Sequence, residues 1–562
     1  MIFRMHRYLI DAPLKLSLLV LSSTLFAQEV AEAPALAQDA VAKGAPAAAV
    51  EIRSEALLRH ARYLASEELN GRLTGSPGQK MAAKYIAAHF EELGLEPLGD
   101  VVEDVDGGSA TRSFLQHYGI KTTSVGAGSS LEFGDAELLK GFAVLGGEAF
   151  VMDDVGKLRF CGVGRTRGSR RDLPEGESLE GKIAVVAIKP PKGRVPEGLS
   201  VEQKFGMSFG VLGRLGGTAR NLGKLGAKVV LFVQVEDKIG LSDVLNYVAI
   251  APGKANVAAN FPGADPGMGA IGGALGRGSV RSMVLSVAAS ADVLAELGIA
   301  TDELLKYFAR EAPCPEGKTD VDAAVRVRVE KDDDARASNV VAVLRGSDPE
   351  LRDEAIVYSA HMDHVGVRMD GVVFNGADDN ASGSAGLLAI ATAYAKAKTR
   401  PRRSVIFLSV SGEELGLWGS QFYSDNPTWQ LDKIVANINT DMIGRSGPES
   451  GPLEVTVTPS YRHAKYSTIV RDSVGFAKDL GMSFTSGDKY YARSDHYNFA
   501  KKGIPVVFFC TGEHEDYHQV SDTGDKLDGM KMQRIAQLAF WTGWHVASAD
   551  KAPSNLGRQE GW

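Results

Sequence analysis

The feature that most constrains the fold of this 562-residue chain is a set of short apolar runs in its C-terminal half. They are VVAVL (340–344), AIVYSA (355–360), SVIFLSV (404–410), IVANINT (434–440) and IPVVFFC (504–510). Each reads as a strand buried on both faces, and SGSAGLLAIATAYAKAK (382–398) between them reads as a helix. Buried strands alternating with helices predict an α/β fold, with a mostly parallel central sheet sandwiched by helices from about residue 323 to 550.

The residues just beyond each strand carry the chemistry. AIVYSA runs into His361-Met362-Asp363, SVIFLSV into Gly412-Glu413-Glu414, IVANINT into Asp441, and IPVVFFC into a segment ending at His518. The loop GADDNASG (376–383) precedes the helix. In open α/β sheets, ligands bind beyond the carboxyl ends of the strands, so these ends and the loop deliver His, Asp, Glu, Asp and His to one edge. Imidazoles and carboxylates are zinc ligands, and five such groups exceed the need of a single catalytic ion. A carboxylate bridging two ions would use all of them. Singly, each has a blander reading: Asp441 as a helix cap, GADDNASG as a turn and cap, Glu413 and Glu414 as an acidic first helical turn. Their joint placement favours the metal reading.

The stretch TGEHEDYHQVSDTGD (511–525) contains a literal HExxH at His514–His518. In zinc proteases that pattern lies on a helix, with both histidines on one face and the glutamate as base. Here no apolar period supports a helix, and Gly512 and SDTGD flank it with loop chemistry. The match therefore reads as accidental, with His518 a ligand and His514 a loop residue near the entrance.

The remainder bounds the setting. A 44% hydrophobic and 23% charged composition is that of a globular protein. A net charge of −8 gives no electrostatic reason to expect nucleic acid or an anionic membrane as partner. Residues 1–27 have a basic start and the apolar run LKLSLLVLSSTLFA, a secretory-signal pattern too short to span a bilayer, with cleavage as late as residue 37. Such a segment implies export to the periplasm or medium, without a stable membrane anchor. Residues 28–50 read as an Ala/Pro-rich tether, and 51–114 as a helical part of the catalytic domain, with one helix capped by Ser54 and another from Pro77 to Gly94. Residues 115–322, glycine-rich with runs KIAVVAI (182–188) and KVVLFVQV (228–235), read as an inserted β-rich module with few helices, and 551–562 as a tail. An oxidising compartment permits one disulfide, between Cys161 and Cys314 if any.

The segments SAHMDHVG (359–366), GADDNASG, SGEELGLWGS (411–420), NTDMIG (439–444), RSDHYNFAKKGIPVVFF (493–509) and DYHQVSDT (516–523) resemble, in order, the exported co-catalytic dizinc aminopeptidases. These are the bacterial leucyl aminopeptidases and their glutamate carboxypeptidase-like and glutaminyl cyclase relatives. LNGRLTGSPGQKMAAKYIAAHFEELGLEPLG resembles their helical start, and EGKIAVVAIKPP and ARNLGKLGAKVVLFVQ resemble the protease-associated domain often inserted in them.

The resemblance implies two zinc ions, with His361 and Asp441 on one, Glu414 and His518 on the other, and Asp379 bridging. Asp379 rather than Asp378 is implied because the family places its bridge four residues before the glycine that is here Gly383. It implies Glu413 as general base toward a water held between the ions, Asp363 as the group orienting His361, and Tyr517 as a hydroxyl near the developing oxyanion. His364 and His496 would brace the site. The implied activity is release of N-terminal residues from peptides with a free N-terminus. The alternatives are a carboxypeptidase with Arg493 as carboxylate partner, a glutaminyl cyclase-like transferase on one zinc, and a non-catalytic binding module.

Overall fold

Four of the five apolar runs form the parallel heart of the sheet in a computed structural model that describes residues 38–102, 110–191, 201–264, 280–447 and 451–562. Strands Ser404–Val410, Ala355–His361, Ile434–Thr440 and Val506–Cys510 lie side by side in that order, all parallel. Ser359 is level with Leu408 on one side and Asn439 on the other, and Asn439 is level with Phe508. The four carboxyl ends therefore finish at one edge. The fifth run, in Arg336–Leu344, pairs antiparallel with Ser404–Val410, and Glu454–Thr458 pairs antiparallel beyond Val506–Cys510. Every residue of Ala355–His361 and Ser404–Val410 is buried, which is why these strands read as unbroken apolar runs.

Helices cover both faces. Ser54–Leu64, Pro77–Glu92, Gly383–Lys396 and Gly529–Ser548 share one apolar core with the sheet, and Trp418–Asp425 and His496–Lys501 pack on the other side. Phe407 joins sheet to helices through the rings of Phe90 and Tyr394. Truncating such a core aromatic costs about 3–5 kcal/mol.

Three local expectations need correction. Ser54 is the first helical residue rather than the cap: its N–H donates to Gln533 Oε1, while the cap position is Arg53. The expected tether is ordered from residue 38 on. Ala40, Ala45 and Ala49 are buried against the C-terminal helix, and Asp39 pairs with Arg534, so small side chains there permit close packing instead of slack. The tail is also seated, with Trp562 against Tyr461, Tyr466 and Phe484. The signal segment lies outside the described residues. Among the described residues, no helix is long and apolar enough to cross a membrane.

The inserted region has its own sheet and two apolar cores. Its strands Phe150–Phe160, Lys182–Ala187, Val229–Val233 and Arg281–Leu285 are parallel, and Asp322–Asp332 pairs antiparallel with Phe150–Phe160. It is not poor in helices: Val201–Gly223, Leu241–Val248, Val287–Glu296 and Thr301–Ala309 belong to it. The first carries several glycines and resists recognition by helix propensity. The junction runs through one continuous strand, Leu115–Val125. Its first half pairs with Arg336–Leu344 of the C-terminal sheet, and its second half with Asp322–Asp332 of the module. Cys161, Cys314 and Cys510 are free thiols, so the Cys161–Cys314 pairing is not formed.

Candidate metal centre

At the carboxyl edge the strand ends and the 376–383 loop converge. His361 Nε2 lies 3.2 Å from Asp441 Oδ1, 3.4 Å from Asp379 Oδ1 and 3.9 Å from Glu413 Oε2. His518 Nε2 lies 2.9 Å from Asp379 Oδ2 and 2.8 Å from Glu414 Oε2. Two sets of donor atoms result, each within 4.8 Å: His361, Asp379 and Asp441, and His364, Asp379, Glu414 and His518. Asp379 belongs to both. His364, read from sequence as a bracing residue, thus stands among the donors, its Nδ1 2.7 Å from Glu414 Oε1.

The bland readings of the carboxylates do not survive. No helix begins after Asp441; its Oδ2 accepts from Ser494 Oγ at 2.7 Å. Glu413 and Glu414 precede the helix at Trp418 in a turn that begins at Gly412, whose φ is +77°. In the loop, Asn380 is the residue that caps: its Oδ1 accepts from Gly383 N and its Nδ2 donates to Thr440 O. Asp379 is left free to face the centre. Asp522 fixes it from behind by accepting the N–H groups of Asp378 and Asp379 at 3.0 and 3.1 Å. Gly376, at φ +57°, allows the tight return, since a Cβ there would lie 2.3 Å from Asp379 O and 2.4 Å from the His364 ring.

The electrostatics are those of a cation site. Burial pushes Glu413 well above the usual carboxylate range, His361 opposing and Glu414 and Asp441 adding to the rise. Burial also raises Asp441, against the pull of His361. Burial would likewise raise Asp379, but His361 and His518 hold it well below. Burial and Asp379 would raise Glu414, yet His518 and His364 bring it down to about 2. Burial disfavours imidazolium at His361 and His518, but Asp441 and Glu413 raise the first, and Glu414 and Asp379 the second, well above the ordinary value. Four buried carboxylates thus draw positive charge to this spot. Asp379 Oδ2 is buried without a hydrogen bond of good geometry, an orphan that an ion would satisfy. The donor set fits zinc in ligand type.

Other expected residues fall variously. Asp363 is fully buried, but His361 Nδ1 reaches its backbone carbonyl, at 3.2 Å, more closely than its carboxylate, at 3.7 Å. The carboxylate accepts instead from Thr74 Oγ1 at 2.8 Å and from Glu413 N at 3.4 Å, tying the Glu413 loop to the His361 loop. Tyr517 stacks on His518 at 4.0 Å and lines a cleft with Glu413, Met442 and Phe508. Arg493 faces the same cleft, paired with Glu513 at 2.6 Å. His496 packs on Phe508 at 4.6 Å and touches no ligand; burial lowers its pKa to about 3.

Residues 515–518 are a turn rather than a helix, so the HExxH match has no zinc-protease geometry. His514 lies in a loop as expected but not at the entrance: it is buried, with Nε2 3.1 Å from Asp378 Oδ2. Asp378 also accepts Gly444 N at 2.6 Å, so its role is to lock two loops together.

Arg72 was not singled out from sequence. Its side chain is buried and donates to the carbonyls of Met362 at 2.8 Å, Asn375 at 2.8 Å, Gly376 at 2.9 Å and Leu64. Burial lowers its pKa to about 10, Asp363 and Asp379 opposing, so it stays charged at neutral pH. It clamps the His361 and Asp379 loops together. Arg72→Met should leave several buried carbonyls unpaired and cost about 3 kcal/mol or more, read as a lowered thermal unfolding midpoint. A midpoint unchanged within error would show the clamp to be dispensable.

Residues 339–542 match the model of peptidase family M28. A probable leucine aminopeptidase from Arthroderma otae is 28% identical over 215 residues, 37% of this chain and 58% of its own. Leupeptin-inactivating enzyme 1 from Streptomyces exfoliatus is 32% identical over 203 residues, covering 35% and 41%. The chain therefore spans only about half of these relatives' length. The crystal structure of a zinc aminopeptidase from Bacillus subtilis superposes with a TM-score of 0.50 at 17% identity, over 89% of this chain and 96% of that one, a likeness of fold. The match to the family model spans the strands and loops that build the donor set.

Proposed function

We propose that this chain is a zinc-dependent exopeptidase, an aminopeptidase releasing N-terminal residues from peptides, exported by its N-terminal signal segment. The observation that carries the reading is that Asp379 belongs to both donor sets, one completed by His361 and Asp441, the other by Glu414 and His518. Those five residues would hold two zinc ions. Zinc bound there supplies Lewis-acid polarisation of the scissile carbonyl and acidifies the attacking water.

The chain's own groups do the rest. Glu413 lines the cleft, with its carboxylate 3.9 Å from His361 Nε2. It is placed to take the water's proton and deliver it to the leaving amine. Tyr517, beside His518, lines the cleft, where its hydroxyl would meet the negative charge growing on the carbonyl oxygen. Met442 and Phe508 give the cleft an apolar wall, and Asp379, Glu413, Asp441 and Glu513 outnumber Arg493 there, an acidic lining suited to a free α-amine.

A carboxypeptidase would need a cation for the substrate's terminal carboxylate. Arg493 faces the cleft but is engaged with Glu513, which favours the amine reading. Dipeptides with a free N-terminus should therefore be cleaved at least about 100-fold faster than their N-acetyl forms, and C-terminal amides as well as acids, since a lost buried ion pair costs about 3 kcal/mol or more. Equal cleavage of acetylated substrates with resistance of the amides would make the enzyme a carboxypeptidase.

A further inference from the structure

The inserted module reaches the metal centre through one helix. Leu241–Val248 lies across the loop that follows His361: Asn246 Nδ2 donates to Val365 O at 2.8 Å, and Asp243 pairs with Arg368 at 3.1 Å. Met369 packs into the same apolar core as Leu241, Val244 and Leu245, and Gly141 N donates to Met369 O at 2.7 Å. From this docked helix Tyr247 extends to His518. Its hydroxyl is 2.8 Å from Nδ1, and the two rings lie 6.0 Å apart at 28°.

The geometry fixes the tautomer. His518 Nε2 faces Asp379 and Glu414, so Nε2 is the nitrogen that must offer its lone pair to a metal. The ring proton then sits on Nδ1 and needs an acceptor, because a ligating imidazole is held and tuned by the partner of its other nitrogen. For His361 that partner comes from the catalytic domain itself, the Asp363 carbonyl at 3.2 Å. For His518 it comes from the inserted module. The asymmetry makes one half of the centre depend on a residue 271 positions away in sequence.

We propose that Tyr247 is a positioning residue for His518, and that the docked inserted module thereby completes the metal position built from Glu414 and His518. This rests on the zinc reading of the site, and it makes the module part of the centre. Loss of the hydroxyl frees the imidazole to rotate and removes the acceptor that fixes its tautomer, so metal affinity falls at that position alone.

The test is zinc titration of the metal-free full-length chain against a chromogenic chelator, in two backgrounds. Asp441→Ala isolates the Glu414–His518 position, and His518→Ala isolates the other. Tyr247→Phe, which keeps the ring and its packing, should weaken zinc about 10–100-fold in the first background and leave the second unchanged. Arg368→Met, which loosens the docking without touching Tyr247, should weaken the same position. Unchanged affinity in the first background with both variants would overturn the proposal. So would an equal loss in both backgrounds, the mark of a general prop. Failure of the unmodified chain to take up zinc would instead overturn the zinc reading itself.

Discussion

Glu413→Gln should lower kcat by about 10²–10⁴-fold while the metal content stays at the wild-type level. In barrier terms that is roughly 3–5 kcal/mol. The amide keeps the shape of the carboxylate and cannot accept the proton. Glu413 N is anchored to Asp363 Oδ1, so the loop stays in place when the side chain changes. The discriminating control is Glu515→Gln. Glu515 is exposed and sits in a turn, so its loss should leave activity within about tenfold of wild type, about 1.4 kcal/mol or less. His514→Ala is a poor control, because it would strip a buried partner from Asp378 beside the centre. Glu515→Gln as inactive as Glu413→Gln, with metal still bound, would restore the HExxH scheme.

The contrast between those two glutamates reflects what local sequence encodes. The strands around 340–344, 355–361, 404–410, 434–440 and 506–510 were legible because burial on both faces leaves an apolar run bounded by polar loop residues. The strand Glu454–Thr458, between Val506–Cys510 and Ser483–Ser486, alternates with threonines and left no such run. The ordered 38–51 segment was hidden by its composition. Its alanines lower amphipathic contrast while allowing close approach to the C-terminal helix.

The donors were legible for a topological reason: each strand-end donor lies beyond a strand whose end can be located, and parallel strands bring their ends together. Partners chosen in three dimensions were not. Arg72 addresses carbonyls 290 to 304 residues away, and Asp522 addresses amides 143 to 144 residues away. Tyr247 lies in a short helix whose sequence, LSDVLNYV, says nothing of the imidazole it meets. His364 was legible as part of the site, but its closeness to Glu414 depends on the return at Gly376 that brings the loop beside its ring.

The same topology sets the expected result for Asp379→Ala: loss of metal from both positions, with zinc after dialysis falling from about two per chain to well under one. The two oxygens of Asp379 face different imidazoles, Oδ1 toward His361 at 3.4 Å and Oδ2 toward His518 at 2.9 Å. Without it, one position keeps only His361 and Asp441, and the other keeps Glu414 and His518 with His364 nearby. Neither remnant has the three protein ligands of a catalytic zinc site unless His364 joins the second. Asp378→Asn is the matched control one residue away. Asp378 accepts from Gly444 N and His514 and offers nothing to either donor set, so its amide should keep both zinc ions. Its cost should appear as stability instead, about 1–3 kcal/mol from a weakened buried hydrogen-bond pair. Elemental analysis beside thermal unfolding separates the two effects. One zinc retained by Asp379→Ala with wild-type affinity would mean that Asp379 serves a single ion, and the shared-carboxylate reading would fall.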